Sequence, residues 1–214
     1  MQIERIVSNH LDSNVFVVTK DSIAIIVDAG AEVDKIKPFL RDKKVEGIFL
    51  THGHYDHAMF ALQYAKEFGC KIFASANIMK TLANPEINCS DGTFEIEDFS
   101  SFSFIKGNQE LTLGKITVTA FETKGHSECS MCFLVDGNLF TGDTLFRQGM
   151  GRTDLIGGNA EDLYNSLAKI DSIAFEKLYC GHGDSSFKGE QLLNIKACRR
   201  YLKALSLRTE HPLT

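Results

Sequence analysis

Apolar positions along this chain fall into short runs first and helical stripes later. Ile3 to Val7 and Val15-Phe16-Val17-Val18-Thr19 read as two strands around the polar turn His10-Leu11-Asp12-Ser13-Asn14. After a second turn, Lys20-Asp21-Ser22, the run Ile23 to Val27 reads as a buried strand ending in Asp28-Ala29-Gly30. Strands joined by short turns form a meander, so the sheet is expected to begin antiparallel or mixed. Asp34 to Lys43 is predicted as a helix with Ile36, Phe39 and Leu40 on one face, which would put Pro38 in its first turn.

Residues 45–51 form another apolar strand run, followed by a polar loop and a helical pattern over about 57–68 that Gly69 closes. Lys71 to Ala74 is a short strand. The stretch from Asn84 to Gly92 is polar and patternless, a loop whose sequence alone does not say whether it covers a site. From residue 100 the period returns to two. Phe102 to Ile105, Gln109 to Leu113 and Lys115 to Phe121 read as strands, with Gly114 as a turn. Met131 to Val135 and Leu139 to Thr141 flank Asp136-Gly137-Asn138, a strong hairpin signal.

Ala160 to Ile170 carries Leu163, Leu167 and Ile170 on one helical face. Lys177 to Cys180 is a last strand. Glu190 to Leu207 reads as an amphipathic helix with Leu192, Leu193, Ile195, Ala197, Tyr201 and Leu202 as core candidates. Strands followed by helices thus occur twice, over roughly 1–75 and 100–207. That order predicts an α/β protein with two mixed sheets packed face to face and helices on the outer faces, a four-layer αββα sandwich.

Composition narrows the function. The 214 residues suffice for one domain, expected to span 1–214, with a sizeable core. Hydrophobic residues make up 43% and charged residues 24%, as in ordinary globular proteins. Net charge is −5 with no basic run, which argues against a nucleic-acid partner. No apolar run approaches the ~20 residues of a membrane helix. The N-terminus has neither a positive region nor an apolar core typical of a secretory signal. With six cysteines and no disulfide framework, the expected location is the cytoplasm and the expected partner a small-molecule substrate. Cys129-x-x-Cys132 matches a redox pair in spacing, but it adjoins a strand run and reads as two buried small residues.

The chemistry concentrates in Thr51-His52-Gly53-His54-Tyr55-Asp56-His57, where three histidines and an aspartate lie within six residues. Imidazole and carboxylate are ligands for zinc and other divalent first-row metals. The stretch joins a strand to a helix, the position at which parallel-sheet proteins place their sites. Further candidates follow other strand runs: Gly125-His126, Gly142-Asp143 and Gly181-His182. His10 and His211 sit in polar terminal segments and read as surface residues, with an approach to the site as the alternative for His10, which lies at a strand end. Tyr55 either packs under the ligand loop or faces a substrate.

H-x-H-x-D-H followed by Gly125-His126, Gly142-Asp143 and Gly181-His182, with Asp28 after the strand at 23–27, resembles the metallo-β-lactamase superfamily over essentially the whole chain. The resemblance implies that His52, His54 and His126 hold one metal, that Asp56, His57 and His182 hold a second, and that Asp143 bridges them. Asp28 would orient a ligand by hydrogen bonding. The implied cofactors are two divalent ions, zinc in the first instance, with iron or manganese as alternatives. They would supply hydroxide at neutral pH and stabilise an oxyanion, with Asp56 both ligand and catalytic acceptor.

Gly142 to Phe146 and Gly149 to Leu155 are similar to the glyoxalase II-like group, whose short bacterial members the segment 84–90 also resembles. That group implies hydrolysis of a thioester such as S-D-lactoylglutathione. Arg152 would pair with a substrate carboxylate or, equally, with Asp154. The Gly-Arg-Thr-Asp stretch at 151–154 is shared with a second group, the iron-dependent persulfide dioxygenases, which stands as the alternative function.

Overall fold

The structure is a computed structural model that describes residues 1–210, with side chains up to residue 205. His211 lies outside the described residues. The first sheet has six strands in sequence order: β1 (Gln2–Val7), β2 (Asn14–Lys20), β3 (Ile23–Val27), β4 (Lys44–Phe49), β5 (Lys71–Ser75) and β6 (Phe102–Ile105). Its first two pairings are antiparallel and its last three parallel. The second sheet also has six strands. They are β7 (Gln109–Leu113), β8 (Ile116–Glu122), β9 (Met131–Val135), β10 (Asn138–Gly142), β11 (Lys177–Cys180) and β12 (Ser186–Phe187). All its pairings are antiparallel except β10 with β11.

Three apolar layers separate the four structural ones. Between the sheets, Phe16, Val18, Ile25, Val27, Phe49 and Phe73 meet Val118, Phe133, Val135, Phe140 and Tyr179. The alternate residues Val15, Val17, Ala24, Ile26, Ile48 and Ile72 turn outward against α1 (Val33–Leu40), α3 (Ala61–Phe68) and α4 (Ile78–Leu82). On the far side Leu139, Leu178 and Cys180 pack under α5 (Ala160–Ser172) and α6 (Lys188–Glu210). Strands covered on both faces cannot alternate apolar with polar, which is why β2 and β3 appear as unbroken apolar runs. The expected αββα sandwich is the observed fold.

Several boundaries differ from the expectation. Phe102–Ile105 belongs to the first sheet, pairing in parallel with β5 from Ile72↔Phe102 to Ser75↔Ile105. The first half therefore ends after β6, since the chain returns across the loop to complete its own sheet. The helix expected over 57–68 is two, α2 (Tyr55–Ala58) and α3, because the Phe60 amide bonds the carbonyl of Ala29 at 2.9 Å and turns the chain there. Gly69 does close α3, at φ 62°.

Pro38 lies in the second turn of α1 rather than the first. It has no N–H to give Asp34, and the helix stops two residues later. In α6 the buried stripe is Gln191, Ile195, Cys198 and Leu202, while Leu192, Leu193, Ala197 and Tyr201 are exposed. A helix so rich in apolar residues offered two candidate faces, and packing on α5 selected one.

The helix α4 and the strand β12 were not foreseen. The segment between Ala83 and Ser101 is built of turns and forms no strand or helix. The hairpin at Asp136-Gly137 is as expected, with both residues left-handed at φ 44° and 76°.

Candidate metal centre

The site forms where strand ends of both sheets meet. β3 ends at Asp28 and β4 leads through Thr51 into the His52–His57 loop. The loop after β8 carries His126, β10 runs into Asp143, and β11 runs into His182. His52, His54, Asp56, His57 and His126 are each at most 5% exposed. His182 remains partly open, with its side chain 29% exposed.

Three overlapping groups could each hold a metal ion: His52, His54 and His126; Asp56, His57 and His182; and His52, His57 and Asp143. In the first, His54 Nδ1 and His126 Nε2 are 3.0 Å apart. In the second, the Nε2 atoms of His57 and His182 are 3.2 Å apart, and Asp56 Oδ2 lies 3.3 Å from each. Asp143 reaches both: Oδ2 is 3.7 Å from His126 Nε2 and 3.4 Å from His182 Nε2, and Oδ1 is 3.4 Å from His57 Nε2.

Ligand atoms bound at about 2.1 Å to one tetrahedral ion lie about 3.4 Å apart. The observed spacings cluster around that value. The donors are imidazole nitrogen and carboxylate oxygen, suited to zinc and neighbouring metals. His52 Nε2, His54 Nε2 and Asp143 Oδ1 are buried without a hydrogen-bond partner among the described residues. The residues present fit divalent ions.

Hydrogen bonds on the outer ring nitrogens dictate which nitrogen faces the site. Asp28 is 1% exposed, and its Oδ2 accepts from His57 Nδ1 at 2.9 Å. Its Oδ1 accepts from the Thr51 amide at 2.7 Å, and the Thr51 hydroxyl also donates to it. With its one proton committed, Thr51 Oγ1 must accept from His52 Nδ1, 3.1 Å away. His126 Nδ1 donates to the backbone carbonyl of Arg152 at 2.9 Å. Each of the three rings, when neutral, therefore carries its proton on the outer nitrogen and turns a bare Nε2 inward, the arrangement by which a second layer of hydrogen bonds tunes metal ligands.

Close backbone approach is needed as well. A Cβ on Gly181 would fall 2.0 Å from Asp143 Oδ1, and one on Gly151 would fall 2.9 Å from His126 Nδ1.

Without metal the electrostatics are divided. Burial pushes His52 well below the ordinary histidine range, aided by the neighbouring imidazoles. Burial and His126 bring His54 down to about 3. Burial also opposes charge on His57, but Asp56, Asp143 and Asp28 together raise it well above the ordinary range. His182 is likewise raised against burial, to about 9, through hydrogen bonds to Asp143 and Asp56. Burial would raise Asp56 and Asp143, yet the histidines hold both below the ordinary carboxylate range. Protons thus balance the carboxylates where a metal cation would otherwise do so.

Other expected residues fall elsewhere. The Arg152 guanidinium is exposed and paired with both carboxylate oxygens of Asp154 at 2.6 and 2.7 Å, so its contact with the site runs through its carbonyl. His10 is half-buried, with its ring 5.8 Å from Phe60, rather than on open surface. Tyr55 is half-buried, and its amide donates to Asn88 at 2.9 Å, joining the 84–92 loop to the ligand loop. Cys129 and Cys132 are buried in the two opposite outer cores and are not a redox pair. Thr51 and the Arg152 carbonyl were missed from sequence. Thr51 directly precedes the histidine cluster, but a backbone carbonyl leaves no signal in residue type. No helix among the described residues is long and apolar enough to cross a membrane.

Comparison with known proteins gives a consistent result. The sequence profile of the metallo-beta-lactamase superfamily matches residues 9–182. A Bacillus subtilis protein, "Probable metallo-hydrolase YqgX", is 32% identical over 163 residues, 73% of this chain and 77% of the relative. "Hydroxyacylglutathione hydrolase 1" of Vibrio vulnificus is 33% identical over 177 residues, 80% of this chain and 62% of that protein. Among solved structures, the BLEG-1 B3 metallo-beta-lactamase superposes with a TM-score of 0.82 at 26% identity, over 92% of this chain and 99% of that one.

Proposed function

The chain belongs to the metallo-β-lactamase superfamily, and from that membership we propose that it is a dinuclear metal hydrolase acting on a thioester such as S-D-lactoylglutathione. The observation that carries the reading is Asp143, whose two oxygens lie within 3.4–3.7 Å of histidine nitrogens from both ligand groups. In this reading His52, His54 and His126 hold one ion, Asp56, His57 and His182 hold the other, and Asp143 serves both. Zinc is the proposed metal, on the nitrogen and oxygen donor set. Bound there, such ions would lower the pKa of a water and polarise the substrate carbonyl.

The side chains do the rest. Asp28 and the Arg152 carbonyl lock His57 and His126 in the tautomers that leave Nε2 free. Asp56 Oδ2 lies between His57 and His182, where it can accept a proton from the attacking water and fix its direction. A thioester suits this inventory, because a thiolate of pKa ~8.5 leaves without a strong proton donor. The Arg152 guanidinium, held by Asp154, is free to meet a substrate carboxylate only when that pair opens. Residues 1–214 are read as one catalytic domain, and the six unpaired cysteines support a cytoplasmic location.

The test is hydrolysis of S-D-lactoylglutathione and simpler acyl thioesters by zinc-loaded protein. Turnover lost in His54→Ala is the expected result. Bound iron with oxygen uptake on glutathione persulfide, and no thioester turnover, would overturn the hydrolase in favour of a dioxygenase.

A further inference from the structure

The turn between β1 and β2 looked from sequence like a polar connector, yet Ser8, Ser13 and Asn14 are 2%, 0% and 1% exposed. We infer that Ser13 and Asn14 are positioning residues that govern occupancy of one metal position, the one formed by Asp56, His57 and His182. The inference rests on the two-metal reading above.

Each of the two residues grips a different part of that ligand group. The Ser13 hydroxyl donates to the backbone carbonyl of Asp56 at 2.6 Å. Gly30 lies against both, since a Cβ there would fall 1.7 Å from the Asp56 carbonyl oxygen and 2.7 Å from Ser13 Oγ. Gly30 is held in turn by Ser8, whose hydroxyl donates to its carbonyl at 2.6 Å and whose amide bonds Ser13 at 2.8 Å. Asn14 takes the other side. Its amide donates to Gly181 at 2.7 Å, and its Nδ2 donates to Cys180 and Gly183, both at 2.9 Å. The three carbonyls belong to residues that flank His182 in the chain, and His182 itself forms an isolated antiparallel bridge with Ser13.

Asn14 Oδ1 is buried with no hydrogen-bond partner among the described residues. A side chain placed only to fill space would not carry that penalty. Turning the amide over would set its oxygen against two carbonyls, so the residue serves here as a double donor. Among the described residues, no hydrogen bond of this corner reaches the other ligand group, His52, His54 and His126; Thr51 and the Arg152 carbonyl orient two of its rings. Thr51, Asp28 and Asp143 link the two positions, whereas the hydrogen bonds of Ser13 and Asn14 reach only the second. Loosening the corner should weaken one position and spare the other.

The experiment is a zinc titration of metal-free protein against a chelating indicator, with bound zinc counted by elemental analysis. Asn14→Leu and Ser13→Ala remove the donors, and Ser13→Thr keeps the hydroxyl as the conservative rescue. Circular dichroism and thermal unfolding of the metal-free forms report folding independently. The expected result is that one of two zinc affinities falls by about 10–100-fold, the range for residues behind a metal ligand, while the other is unchanged. Ser13→Thr should restore it.

Equal loss at both positions in step with reduced thermal stability would mark a purely structural role and overturn the inference. So would unchanged affinities beside a His182→Ala variant that loses one zinc. A wild-type protein that binds a single zinc, or a His182→Ala variant that keeps two, overturns the two-metal reading and the inference with it.

Discussion

One hydrogen bond of 2.9 Å joins Asp28, just past the end of β3, to His57 in the short helix α2, both side chains being at most 1% exposed. Asp28 reaches this position from a left-handed backbone at φ 62°, uncommon for a residue with a side chain. Replacing it by Ala should lower metal affinity by about 10–100-fold, because His57 loses the partner that fixes its tautomer. Asn at this position keeps the shape but can offer an N–H where His57 needs an acceptor, so it should restore little. Competition titration of zinc against a chelator measures both variants.

Gly181 brings the backbone hard against two of the candidate ligand side chains. A Cβ there would lie 2.0 Å from Asp143 Oδ1 and 2.8 Å from His57 Cε1. Gly181→Ala should therefore displace Asp143 and reduce bound metal while leaving far-UV circular dichroism close to wild type. Full metal content in this variant would show that Asp143 has room to move without consequence.

Protons and metal compete for the same nitrogens. His57 is raised well above the ordinary range and His182 to about 9 in the metal-free site. A histidine raised on folding stabilises the metal-free protein fully below its unfolded pKa of about 6.5 and progressively less as pH climbs through the folded value. Metal-free protein should thus lose stability between about pH 6.5 and 9, whereas the loaded protein should not. Metal affinity should rise over the same window, with protons released on binding. Calorimetry in buffers of different ionisation enthalpy reads the proton count.

Phe133 sits between the sheets, fully buried, with its ring 5.2 Å from Phe49 in an edge-on contact. Truncation to Ala should cost about 3–5 kcal/mol, the range for a large aromatic removed from a packed core. Urea unfolding of the metal-loaded protein is the measurement. A cost under about 1 kcal/mol would mean that the sheets close over the gap.

Much of this molecule is readable from residue order because its signals are local. Strand runs such as Ile23 to Val27, the Asp136-Gly137 turn and the Gly69 helix end depend on neighbours only a few positions away. The candidate ligands are equally visible, since histidine and aspartate clustered after strands have few other uses. The apolar runs of α6 show the limit: Leu193 and Ile195 look alike in sequence, but only Ile195 is buried. Likewise Phe102 to Ile105 could have joined either sheet on pattern alone.

The sequence by itself determined which residues are candidates to bind metal, that two sheets form, and that their inner faces are apolar. Tertiary structure decided how those residues combine. Asp143 stands between two ligand groups because β10 and β11 pair in parallel and carry it beside His182. The tautomers of His57 and His126 depend on Asp28 and on a carbonyl of Arg152, 29 and 26 positions away in the chain. Ser13 and Asn14 become part of the centre only because the β1–β2 corner folds against the loop after β11. Hydrogen bonds between backbone and distant side chains carry this information, and they depend on position in space, which residue type alone does not encode.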